Sequence, residues 1–150
     1  TYLKGVDSNF SKVNAIEKTL FNGQWLQPNT YQVVVGYGIA QKFSMGLLDF
    51  NNQLEVLVPK PGKGAIENPE QAFNKTDLIP VGIYAISEDL DSKYVFADLG
   101  LAQELLEYKT NQVSGIEIKV KKGADERTIT AQLQTIFDNK ISVKNRAQLN

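Results

Sequence analysis

Val33-Val34-Val35 is apolar at three consecutive positions. Successive side chains of a strand point to opposite faces, so a strand built on this run must be covered on both sides. Gly36-Tyr37-Gly38 follows at once, and then Ile39, Ala40 and Phe43 fall at helical spacing, which turns the chain from strand into helix within a few residues. A sheet with one wet face does not ask for this arrangement. It requires helices or loops packed on both sides of a sheet.

The same alternation of periods recurs along the chain. Thr1 to Gly5 reads as a short strand, and Asp7-Ser8-Asn9 offers capping side chains to a helix carrying Phe10, Val13, Ile16, Leu20 and Phe21, ended by Asn22-Gly23. Pro28-Asn29-Thr30 is a turn ahead of the valine strand. Leu54, Val56 and Val58 alternate with Glu55 in a strand over 53–58, with Leu57 apolar on the face that should be wet. Pro59 to Asp77 is a long proline-containing excursion, Leu78 to Ile86 a strand, Glu88 to Asp91 an acidic turn, and Lys93 to Ala97 another strand. Asp98 caps a helix with Leu101, Ala102, Leu105 and Leu106 on one face. Val113 to Val120, with Ile116, Ile118 and Val120 alternating against Glu117, Lys119 and Lys121, is the clearest strand of all. A turn at Gly123-Ala124-Asp125 leads to a helix whose stripe, Ile129, Leu133, Ile136 and Phe137, reads as core, and Ile141-Ser142-Val143 returns as a strand. The fold class expected is α+β.

With 150 residues, 42% of them hydrophobic and 22% charged, the chain has enough apolar side chains for one domain or two small lobes. A formal charge of -1 with scattered lysines gives no field to gather phosphate backbones, so nucleic acid is not an expected partner. The absence of cysteine and histidine removes thiolate chemistry, the usual general base and most transition-metal sites. No catalytic residue, cofactor or metal site is expected, and the chain is not expected to be an enzyme. No apolar run reaches the roughly 20 residues of a membrane span. The start at Thr1, inside a strand, suggests a piece of a longer protein.

Three motifs carry residues that ligand chemistry could use. Gly36-Tyr37-Gly38 has the first half of a dinucleotide-binding turn but Gln41 where the third glycine belongs, so it reads as a tight strand-to-helix turn. Lys60-Pro61-Gly62-Lys63-Gly64 has the residues of a phosphate loop in the wrong order and reads as a flexible basic loop. Glu88, Asp89 and Asp91 lack the further ligands of a calcium loop.

Lys4-Gly5-Val6-Asp7, Phe21 to Trp25, Val33 to Ala40 and Val113 to Lys119 resemble, in this order, segments of the extracytoplasmic domain of ABC-transporter permeases of the lipoprotein-releasing and MacB type. Pro80 to Tyr84, the acidic turn and Tyr94 to Asp98 fall in the same order, so the resemblance spans nearly the whole chain. It implies a periplasmic core domain of two lobes: a porter-like βαβ lobe, about 1–34 and 98–150, and a smaller, mostly β lobe, about 35–97. It further implies a parent protein that is a multi-pass, dimeric permease in the bacterial inner membrane. A cytoplasmic ABC ATPase subunit would drive that permease, and this domain would pass the motion to a periplasmic chaperone, lipoprotein or efflux partner without making or breaking a bond.

In the lipoprotein-releasing branch a loop between two strands of the smaller lobe forms a hook that receives a chaperone, and the excursion after Pro59 occupies a similar place. Pro59, Lys60, Pro61, Lys63 and Phe73 are accordingly the residues expected to contact a partner: prolines stiffen the loop, lysines attract acidic groups and the aromatic anchors. Two other readings stand beside this one. A cell-division-type permease domain would signal to a cell-wall hydrolase, and a soluble enzyme would use a degenerate nucleotide turn.

Overall fold

Val33, Val34 and Val35 are wholly buried, at the centre of a mixed sheet covered on both faces. The computed structural model describes residues 1–62 and 68–149. In chain order the elements are β1 (Tyr2–Val6), α1 (Phe10–Asn14), β2 (Leu20–Gly23), β3 (Gln32–Gly36), α2 (Tyr37–Lys42), β4 (Leu54–Pro59), β5 (Phe73–Tyr84), α3 (Glu88–Asp91), β6 (Tyr94–Asp98), α4 (Leu99–Leu105) and α5 (Glu126–Ile136). The protein is mixed α+β. Among the described residues six strands form the sheet, in the order β1-β6-β3-β5-β2, with β4 paired to the first half of β5.

β1 pairs with β6 and β3 with β5 in parallel, whereas β3–β6, β2–β5 and β4–β5 are antiparallel. Alternation in β3 sends Val33 and Val35 to one face with Ile83, Val95, Ala97, Ile39, Leu101 and Leu105, and Val34 to the other with Phe96, Val81, Tyr84, Ile16 and Leu26. Helices α2 and α4 supply apolar side chains to the first face, and Phe10 of α1 and Trp25 pack on the second. At about 1.5–3 kcal/mol for each buried aliphatic side chain, this double coverage makes β3 a principal source of sheet stability.

β5 carries Pro80, which has no N–H to give to a ladder. The β3–β5 register shifts at that point, with Val33 opposite Pro80 but Val34 opposite Gly82. The Pro80 carbonyl accepts from the Leu48 N–H (2.9 Å) and the Val81 carbonyl from the Gln24 N–H (2.9 Å), so the main chain beside the shift is satisfied.

Five local expectations are corrected. The helix expected from Phe10 to Phe21 ends at Asn14, where Ala15 takes a left-handed conformation (φ 52°); Leu20 and Phe21 join β2, and Gly23 closes that strand. The excursion is shorter than read, because Phe73 to Asp77 belong to β5 and pair with β4. Val113 to Val120 is not a strand, and neither is Ile141 to Val143. The helix α5 forms, capped by Asp125, which accepts from the Thr128 N–H (3.1 Å), but Ile136 on its stripe is 71% exposed and none of its residues is buried.

By its internal contacts the chain divides into Thr1–Glu117 and Ile118–Asn150. The first holds the sheet. The second holds α5, and among its described residues none is buried. The expected boundary between lobes at 34/35 falls inside β3, and strands from 1–34 and 35–97 pair with one another. No helix among the described residues is long and apolar enough to cross a membrane.

Candidate functional site

β4 and the first half of β5 form a two-stranded ribbon whose two faces differ. Leu54, Val56 and Val58 turn inward and pack against the core. At the start of β5, Asn74 turns inward as well; its amide donates to the Leu105 carbonyl (2.8 Å) and to Glu107 Oε1 (3.2 Å), tying the ribbon to the end of α4. This accounts for a polar residue on the inner face, since its hydrogen-bonding capacity meets a helix carbonyl left free at the C-terminus.

The outer face carries Glu55, Leu57 and Pro59 opposite Asp77, Lys75 and Phe73. Leu57 is 54% and Phe73 41% exposed, so two large apolar side chains stand in solvent on one side of the ribbon. Lys75 reaches diagonally to Glu55 in an ion pair. The hydrogen bond and charge of Glu55 hold the Lys75 ammonium above its ordinary pKa. Both partners are about half exposed, so the pair fixes the local charge pattern more than it stabilises the fold.

Beyond the last strand pair, the Lys60 N–H donates to the Ala72 carbonyl (2.9 Å) and carries the ribbon one step further. A 3₁₀ turn, Pro69–Ala72, leads back into β5, capped by Asn68, whose Oδ1 accepts from the Glu70 N–H (3.0 Å).

Of the residues expected to contact a partner, Pro59 and Phe73 face each other across the ribbon, Lys60 lies next to them, and Pro61 follows, exposed. Lys63 lies outside the described residues. The sequence reading missed Leu57 and the Glu55–Lys75 pair. A signal for Leu57 was present, since it is the residue that breaks the alternation of β4.

The other motifs serve the fold. The Gly36-Tyr37-Gly38 turn opens α2, and a Cβ at Gly36 would meet the main chain of Asp91 while one at Gly38 would meet Ser92 Oγ; the space beside these glycines is taken by the chain itself. In the acidic turn, Ser87 caps α3. Asp91 is buried and its Oδ1 accepts from the N–H groups of Ile86 (2.8 Å) and Ser87 (3.3 Å). A surface recess of about 190 Å³ includes Asn29, Tyr31, Asp98 and Glu104. There the Asp98 carboxylate accepts from the N–H groups of Asn29 (3.0 Å) and Gly100 (2.9 Å) and so ties a loop to the cap of α4. Among the described residues no three acidic side chains gather as a metal site would need.

No protein-family model matches this chain, and no curated protein sequence matches it either.

Proposed function

We propose that this chain is a non-catalytic periplasmic domain of an inner-membrane ABC transporter permease of the lipoprotein-releasing and MacB type, coupling ATP hydrolysis by its cytoplasmic partner to lipoprotein release or export. The observation that carries the reading is the β4–β5 ribbon: Leu57 and Phe73 are exposed on one face, and Lys60 and Pro61 extend it. This is a loop-bearing strand pair where the resemblance implies a hook that receives a partner. An exposed aromatic and a leucine flanked by charges make a small apolar centre with a polar rim, which suits transient capture of another protein. In the same reading β1 and α4 belong to the porter-like lobe, and the ribbon with its loop to the smaller β-rich lobe.

The test uses Leu57→Asp combined with Phe73→Asp, with Lys60→Glu as a separate variant. Capture of the periplasmic lipoprotein chaperone should fall about tenfold or more, the loss of one good interface anchor. The melting temperature should stay close to that of the unsubstituted chain, because these side chains point away from the core. Undiminished capture, with undiminished lipoprotein release by the parent permease, removes the reading. Recovery of a murein hydrolase instead of lipoproteins or their chaperone in a pull-down assigns the chain to the cell-division type.

A further inference from the structure

The sheet leaves one segment of strong strand character unpaired. Ile116, Ile118 and Val120 are 67%, 52% and 36% exposed. Among the described residues no main-chain N–H or C=O of 113–120 is hydrogen-bonded to another main-chain group. Such a row of free donors and acceptors beside alternating β-branched residues is a template for another strand.

We propose that residues 116–120 pair antiparallel with the same residues of a second copy of this chain. Charge complementarity selects the partner and the register. With Ile118 on the two-fold axis, Ile118 faces Ile118, Ile116 faces Val120 twice, and Glu117 faces Lys119 twice. A parallel in-register pairing sets Glu117 on Glu117 and Lys119 on Lys119. An antiparallel pairing centred on either charged residue opposes that residue to itself. The Ile118-centred register therefore joins both opposite-charge pairs without opposing like charges, at about 0.2–1 kcal/mol for each cross-strand pair. Within one copy the Glu117 carboxylate takes Lys4 Nζ and Asn14 Nδ2 and its side chain stays 43% exposed, open to a second cation. A two-stranded ribbon is marginal by itself, so association belongs in the micromolar to millimolar range.

The chain has no cysteine, which makes a single introduced thiol a reporter of register. Under mild oxidation Ile118→Cys should form a disulfide-linked dimer rapidly, because directly opposed strand residues lie within disulfide reach. Val113→Cys, also exposed, should not, since in this register it stands ten positions, about 34 Å, from its own counterpart. In sedimentation velocity over a concentration series, Glu117→Lys should weaken the dimer about tenfold, and adding Lys119→Glu to it should restore association. Circular dichroism confirms that each variant is folded. Equal cross-linking of the two cysteine variants, an unaffected Glu117→Lys dimer, failure of the double reversal to restore association, or a chain that stays monomeric at the highest concentration overturns the proposal.

Discussion

A single methyl group is enough to disturb the turn at Gly36. The Cβ of alanine there would run into the main-chain carbonyl of Asp91, which Ile86, Ser87 and α3 hold in place, whereas at Gly38 its one severe clash would be with the Ser92 hydroxyl, which can rotate, the Asp91 main chain standing at ordinary contact distance. Gly36→Ala should therefore cost about 1–3 kcal/mol in urea denaturation, and Gly38→Ala distinctly less. The turn itself was legible in Gly36-Tyr37-Gly38 following three valines. Its neighbour Asp91 was not, because nothing local ties that residue to position 36. Tyr84 is a second case. Its hydroxyl lies 2.9 Å from the carbonyls of both Leu90 and Tyr94, and burial, followed by the charge of Asp91, raises its pKa above the ordinary tyrosine value. A raised folded-state value means stability that is complete below about pH 10 and is lost as pH rises through the folded value. Tyr84→Phe should cost about 1–2 kcal/mol at neutral pH and flatten the alkaline decline of the melting temperature.

Elements followed the sequence wherever their partners were near or their caps explicit. Asp98 and Asp125 both cap the helices expected of them, and β3 and β6 form around the apolar runs Val33–Val35 and Tyr94–Ala97. The failures share a physical cause. Val113 to Val120 has the right alternation, but a strand also needs a neighbour, and a pattern in one segment cannot supply one. Leu20 and Phe21 suited a helical stripe equally well, and pairing with β5 decided for strand. At the ribbon, Pro59 and Phe73 were picked out by their chemistry, while their opposition across two strands came only with the start of β5 at Phe73. Asp125 yields a prediction at this scale. Its hydrogen bonds with Thr128, side chain first and then N–H, lower its pKa, so the cap is present above the ordinary carboxylate range and is lost as pH falls through the depressed value. Amide exchange in the first turn of α5 should quicken under acid, and Asp125→Ala should produce that quickening already at neutral pH.

Across the whole molecule, burial is distributed unevenly. The strands β3, β5 and β6 hold the wholly buried side chains, and the described residues of Ile118–Asn150 hold none. Protection against hydrogen exchange should follow that division: core-strand amides should open only with global unfolding, and those of α5 in far smaller fluctuations. Uniformly slow exchange through α5 would contradict it. β5 has a consequence of another kind. Its first half forms one arm of the ribbon and its second half lies between β3 and β2 in the middle of the sheet, so one unbroken strand of 12 residues, about 40 Å long, reaches from the exposed Phe73 to the buried Tyr84. A pull at Phe73 thus bears along a single covalent beam. It loads the ladders on both flanks in shear, many hydrogen bonds at once, so the ribbon works as a stiff arm rooted in the sheet.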